Sequence, residues 1–366
     1  MIVSPAEPRR VEYLKELQNK AYKMRFGPFV LQISPDPSLD SQIIDSTLKE
    51  AELADALGYD VIWLTEHYFG GDTVYADPVV FGAAVAVRTQ RIKIGFAVVQ
   101  MAFHHPVKLA AQTALLDNLS HGRLIVGTGR GSAYNAYEYM GFGITLEEGR
   151  QRLDEAEDLL LKAWTEENLD YQGRYWQVTF PITRPRPYQK PHPPLIRACI
   201  SKESMVEMAK RGRPVLMGVD SLQETAHRLQ LYRDTMLAAG FSEEHVERCL
   251  DETWIRRSVY VADSDQQAQE EAVPAFQAER NHIREARERF NPTEYPDPIP
   301  TPPSISGMPE HYLIAGSPKH VAEKVAELRD LGARNMLLGM SPSDLPREKV
   351  GKSMRLFAEK VAPLFR

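Results

Sequence analysis

The chain has 366 residues and carries 44 Lys and Arg against 50 Asp and Glu, a net charge of −6. Its 43% hydrophobic and 26% charged content supplies ample material for a core and argues against disorder. The mild acidity gives no basis for nucleic acid or an anionic membrane as a partner. The longest apolar run, residues 79–87, is half of what a membrane span of roughly 18–20 residues needs. Residues 1–23 mix Glu, Arg and Lys without the apolar centre of a signal peptide, and read as a polar N-terminal extension. Two cysteines, Cys199 and Cys249, lack close Cys/His spacing. They argue against a disulfide scaffold or zinc knuckle, fit a reducing cytosol, and set a cytoplasmic location as the expectation.

From residue 24 onward, apolar strand-like runs alternate with amphipathic stretches. Strands are expected at residues 26–33, 61–64, 92–99, 124–128, 195–200, 215–219, 254–261 and 335–338. Helices are expected at 39–57, 78–88, 106–119, 146–165, 203–211, 222–239, 265–289, 318–331 and 348–362. The helix at 106–119 is punctuated by Pro106 at its start and Gly122 past its end. Residues 169–179, with Gln172-Gly173 between aromatic arms, read as a hairpin within an excursion over 169–190. Continuous apolar strands alternating with helices indicate a parallel sheet, and eight such units suit a (β/α)8 TIM barrel with insertions, spanning residues 24–366. A doubly wound dinucleotide fold is disfavoured, because no strand leads into Gly-x-Gly-x-x-Gly at the head of a helix. Residues 291–311 carry seven prolines in 21 positions and read as a loop over the barrel mouth, a candidate lid.

In a TIM barrel the strand C-termini face the active site, so the residues after each strand are the candidates. Thr65-Glu66-His67-Tyr68 follows the second strand, and His67 there can exchange a proton near neutrality. Glu66 is placed to orient that imidazole or to pair with an arginine. Met101, Phe103 and His104 follow the third strand. The adjacent His104 and His105 do not make a metal site, and His105 reads as a precap for the next helix. Gly129-Arg130-Gly131, followed by Tyr134, closes the fourth strand: glycine admits a planar ligand close to the backbone, and Arg130 can grip an anion. Ser201 and Ser204 open the helix after the fifth strand, one as N-cap and one three residues on, a site for phosphate. Met217-Gly218 adds a close-approach glycine. A bound organic phosphate cofactor carrying the difficult chemistry is the economical interpretation. Tyr68, Met101, Phe103, His104 and Tyr134 make the expected substrate pocket apolar and aromatic.

These residues resemble the bacterial luciferase-like flavin monooxygenases. Trp63-Leu64-Thr65-Glu66-His67-Tyr68-Phe69 is similar to that family's Glu-His-His-Phe segment. His105-Pro106-Val107-Lys108, residues 116–123 and residues 127–131 are similar to its most recognisable motif. Residues 201–204 with 209–212, and the late Gly316-Ser317-Pro318, agree in order. The resemblance implies a TIM barrel that binds reduced FMN from a separate flavin reductase, adds O2 at the flavin C4a carbon, and oxidises a small organic substrate through the resulting peroxide or hydroperoxide. It implies His67 as the catalytic histidine, Ala97 and Val98 as the strand under the isoalloxazine, and Gly129 beside the reactive ring. Arg130, Ser201 and Ser204 are implied at the phosphate. A homodimer packed through residues 78–88 and 106–119 is also implied. Two positions depart from the family: Tyr68 stands for the second histidine of the motif, and Gly129 for the cysteine of luciferase, so light emission does not follow. A deazaflavin-dependent reductase or dehydrogenase of the same fold is the alternative, disfavoured by the net negative charge. A non-catalytic flavin-binding protein is disfavoured by His67 and Arg130, and a metal-dependent hydrolase by the lack of clustered ligands.

Overall fold

The computed structural model describes residues 23–296, 299 and 311–366. The N-terminal extension lies outside the described residues apart from Lys23, as does most of the proline-rich loop. The strands are β1 (Arg25–Val30), β2 (Val61–Leu64), β3 (Lys93–Phe96), β4 (Val99–Gln100), β5 (Leu124–Gly129), β6 (Leu169–Gln172), β7 (Gln177–Phe180), β8 (Leu195–Cys199), β9 (Val215–Met217), β10 (Trp254–Val261), β11 (Leu313–Gly316) and β12 (Asn335–Gly339). The helices are α1 (Asp40–Ala56), α2 (Pro78–Arg88), α3 (Pro106–Leu119), α4 (Ala136–Gly141), α5 (Leu146–Thr165), α6 (Lys202–Lys210), α7 (Leu222–Ala238), α8 (Glu243–Asp251), α9 (Asp265–Phe290), α10 (Pro318–Asp330) and α11 (Arg347–Leu356). Eight parallel strands close in the order β1-β2-β3-β5-β8-β9-β10-β12, with β12 returning to β1. This is the TIM barrel expected from the alternation.

The barrel interior is a packed plug. Val61, Trp63, Ile125, Ile196, Leu216, Trp254 and Leu337 fill it, with the Trp63 and Trp254 rings 5.0 Å apart edge to face. Glycines make room for the indoles: a Cβ on Gly95 would lie 2.4 Å from the Trp63 ring, and one on Gly27 2.9 Å from it. Phe29, Ala97, Val98 and Ala198 pack on this plug but stay partly exposed. They form its upper surface, at the strand C-termini.

The strand expected at 92–99 is two strands. β3 ends at Phe96, the chain passes through Ala97-Val98 (whose peptide is cis), and β4 resumes beside β5, pairing Val99 with Thr128 and Gln100 with Gly129. The hairpin falls where expected, Leu169 facing Phe180 and Gln172 facing Gln177. β11 has no counterpart in the sequence reading. It extends the sheet by pairing Leu313–Gly316 with the second half of β10. Helices α4 and α8 were also not expected. The α2 and α3 faces expected to pair in a homodimer leave Val80, Val87, Leu115 and Leu119 exposed. Among the described residues no helix is long and apolar enough to cross a membrane.

Candidate active site at the barrel mouth

The floor of the mouth is apolar and open. Ala97 and Val98 lie on it between β3 and β4, and Gly129 ends the neighbouring β5. A Cβ on Gly129 would sit 2.7 Å from Val98 Cγ2, so a cysteine there requires Val98 to move; glycine and valine are matched. Gly218, after β9, faces empty space. Arg130 follows Gly129. Its carbonyl accepts the Tyr139 hydroxyl at 3.0 Å, while its guanidinium has no hydrogen bond or ion pair among the described residues. Ser201 is the N-cap of α6, as its spacing implied, and accepts the Ser204 N–H at 3.2 Å. The Ser204 hydroxyl donates to the Ser201 carbonyl at 2.9 Å. Buried Arg228 braces this corner, donating to Asp220 at 2.8 Å and to the Cys199 carbonyl at 2.8 Å.

Two buried carboxylates divide the histidines between them. Glu138, on α4 and wholly buried, accepts the Tyr68 N–H at 2.8 Å and lies 3.1 Å from His67 Nδ1. Burial works against a charged His67 imidazole, but Glu138, with Asp72 and Glu66 behind it, prevails and raises its pKa. Glu66 does not orient His67. It lies 2.7 Å from His104 Nε2, accepts the Tyr68 hydroxyl and the Gln100 N–H, and raises the His104 pKa against the opposing effect of burial. Tyr68, in the place of the motif's second histidine, thus closes a hydrogen-bonded set with Glu66 and His104. Burial also pushes the Asp72 carboxyl up; Tyr137 donates to it at 3.4 Å, and His282 Nε2 is 3.6 Å away.

An aromatic wall stands beside this set. Phe103 and Phe142 stack at 4.5 Å, and Tyr68 meets Phe142 edge-on at 4.8 Å. Tyr134 lies under the Arg287 guanidinium, 5.3 Å from ring centroid to carbon. Met101 does not join the wall, because it is fully buried in the core outside the barrel. His105 occupies the N-cap position of α3 but makes no side-chain capping bond. Among the described residues no group of three potential ligands can hold a metal.

Sequence reasoning missed Glu138 and the contribution of α9. Glu138 sits on a six-residue helix, too short for periodicity to reveal. The long helix α9 reaches back to the mouth through His282 and through Arg287, which donates to Asn135 at 2.8 Å. The described start of the proline-rich loop docks here too: the Asn291 amide donates to the Tyr134 carbonyl at 2.9 Å, and the Tyr295 hydroxyl to the Ile144 carbonyl at 3.0 Å.

Residues 24–335 match the model of the family described as luciferase-like monooxygenase. The chain belongs to the luciferase-like monooxygenase family. It is 29% identical, over 67% of its own length and 67% of the relative's, to the oxygenase component of flavin-dependent trigonelline monooxygenase from Acinetobacter baylyi. The crystal structure of a monooxygenase from Streptomyces bottropensis matches with a TM-score of 0.81 and 29% identity, covering 94% of this chain and 100% of that one. Two more distant structures share the fold. One is the FMN complex of the oxygenating constituent of 3,6-diketocamphane monooxygenase from Pseudomonas putida (18% identity, TM-score 0.73, covering 93% and 98%). The other is an F420-dependent secondary alcohol dehydrogenase (15%, 0.71, 94% and 99%).

The carboxylate pairing gives a direct expectation. Glu138→Gln removes the charge that holds the proton on His67, so the imidazole pKa falls from its raised value towards or below the ordinary histidine range in an NMR titration. The pair's stabilising contribution is complete below that ordinary range and is lost as pH rises through the raised value. The wild-type advantage over Glu138→Gln in chemical denaturation therefore shrinks with rising pH. An unchanged imidazole titration contradicts the pairing.

Proposed function

We propose that the chain is the oxygenase component of a two-component flavin system, taking reduced FMN from a separate reductase and using O2 to oxidise a small apolar or aromatic organic molecule. One observation carries this reading. The strand C-termini bring to one end of the barrel a partly exposed apolar floor, an arginine without a hydrogen bond or ion pair among the described residues, a capped helix start, and a histidine paired with a buried carboxyl group. The residues fit the flavin. Ala97 and Val98 present a small apolar surface for an isoalloxazine, with Gly129 buried against Val98. Arg130, Ser201, Ser204 and the first turn of α6 supply a phosphate site.

When bound, reduced FMN supplies the electrons and the ring carbon at which O2 is activated. The protein orients the ring on its floor and excludes water with the wall of Tyr68, Phe103 and Phe142. It also handles the proton. His67 Nδ1 faces Glu138, which leaves Nε2 as the nitrogen that exchanges a proton with the reacting groups. Glu138 raises the His67 pKa and so favours the charged ring, which suits His67 to act as a proton donor.

A paired experiment separates the roles. Arg130→Ala removes a charge-assisted bond of about 1.5–3 kcal/mol and weakens FMN binding about tenfold or more in a fluorescence titration. His67→Ala keeps FMN affinity but loses about 10²–10⁴ in coupled oxidation, with the consumed O2 recovered as hydrogen peroxide. Unchanged FMN affinity in the first variant, or parental coupled oxidation in the second, contradicts the assignment. Tight binding of F420 in place of FMN would favour the deazaflavin reading.

We also propose a homodimer through α2 and α3, supported by the exposed Val80, Val87, Leu115 and Leu119 on adjacent helices. Sedimentation at micromolar concentration should give a dimer, and Val87→Glu with Leu115→Glu a monomer. A wild-type monomer contradicts it.

A further inference from the structure

The flavin reading leaves one charged group at the mouth without a task. Alternation along β10 sends Trp254 into the plug and Arg257 outward, where it donates to the Asp220 carbonyl and to Thr225 Oγ1, both at 2.9 Å. Arg256 shares the inward face with Trp254 and lies one step nearer the strand's C-terminal end. Its guanidinium carbon rests 4.3 Å from the centre of the Phe29 ring, on the upper surface of the plug. No hydrogen bond or ion pair reaches the Arg256 guanidinium among the described residues, and its Nε is buried without a partner. The residue is nevertheless partly exposed.

Glu279 of α9 is electrostatically coupled to Arg256 without a hydrogen bond or ion pair to it among the described residues. It is 7% exposed, and burial pushes its carboxyl up to about 7, with Arg256 opposing the rise and Asp72 and Asp344 adding to it. Burial that favours the neutral carboxyl weakens Glu279 as a counterion for Arg256. Arg256 also lies around the barrel from Arg130, separated by β8 and β9. The mouth therefore holds two guanidinium groups without a hydrogen bond or ion pair among the described residues, on different arcs of the barrel.

We propose that Arg256 is a substrate-binding residue that takes the carboxylate of a small aromatic acid, with Phe29 beneath it and Glu279 opposite. A guanidinium fork matches a carboxylate in two parallel hydrogen bonds. The protonated Glu279 can donate another. The field of Asp72 and Asp344 disfavours a dianion, so a monoanionic carboxylate fits this place better than a phosphate. The substrate class deepens the oxygenase reading and rests on it, while the binding site itself does not require flavin to be present.

The test uses flavin-free full-length protein and two isosteric probes, benzoate and benzamide, in calorimetric titrations. Benzoate should bind the wild type more tightly than benzamide, and Arg256→Gln should lose about tenfold or more of the benzoate affinity. Benzamide binding and FMN affinity should not change in that variant. Glu279→Gln provides the second arm: it removes the competing negative charge and should bind benzoate at least as well as the wild type. Equal binding of the two probes by the wild type overturns the proposal, as does undiminished benzoate binding by Arg256→Gln. Loss of FMN rather than benzoate in Arg256→Gln would assign the guanidinium to the cofactor and overturn it too. A wild type that binds benzoate through Arg256 yet fails to bind FMN would contradict the flavin reading and leave the carboxylate site standing.

Discussion

A carboxylate removed from water must be satisfied by the protein, or its burial costs several kcal/mol. Glu138 meets that condition by accepting the backbone N–H of Tyr68 and by facing the His67 ring. Those bonds tie the segment after β2 to the short helix after β5, two pieces of chain 70 residues apart. The position of His67, its protonation and the entry of Tyr68 into the aromatic wall all depend on this one side chain. Glu66 repeats the device one strand further on, with Tyr68 and His104. The mouth is thereby built from two buried, hydrogen-bonded carboxyl anchors rather than from packing alone, which fixes side-chain direction where loops would otherwise be adaptable.

Beneath these anchors the barrel interior is packed with side chains. Trp63 and Trp254 fill it, made possible by Gly27 and Gly95, and the plug sets the depth at which a ligand must stop. Ala97, Val98, Ala198 and Phe29 form its partly exposed top, where we propose that a flat ligand rests. The glycine at 129 follows from the same crowding, because Val98 occupies the space that a larger residue would need. The rim divides accordingly: Arg130 and the start of α6 lie on one arc, and Arg256 with Glu279 on another.

Much of this was legible in the sequence where local chemistry decides the outcome. Ser201 could be read as an N-cap from Ser-x-x-Ser before a helical run, and that is its role. His67 could be placed at a strand end by the alternation of apolar runs. Its partner could not. Glu66 adjoins it in sequence, but Glu66 and Tyr68 are two residues apart and hydrogen-bond each other, on the side away from the His67–Glu138 contact. The true partner lies on a helix of six residues, below the length at which periodicity is visible. The break at Ala97-Val98 was hidden inside one apolar run, and β11 is a four-residue apolar segment whose pairing with β10 is non-local. Arg256 was likewise hidden, because Arg256 and Arg257 read alike until the plug shows which faces inward.

The central claim is that this mouth holds FMN with its ring on the Ala97-Val98 floor. A crystal structure of the protein soaked with FMN tests it most directly. The account predicts the isoalloxazine over Ala97, Val98 and Gly129, its phosphate between Arg130 and the Ser201 start of α6, and His67 facing the ring. Density for the phosphate at Arg256, or for the ring anywhere but the floor of the barrel mouth, would contradict it.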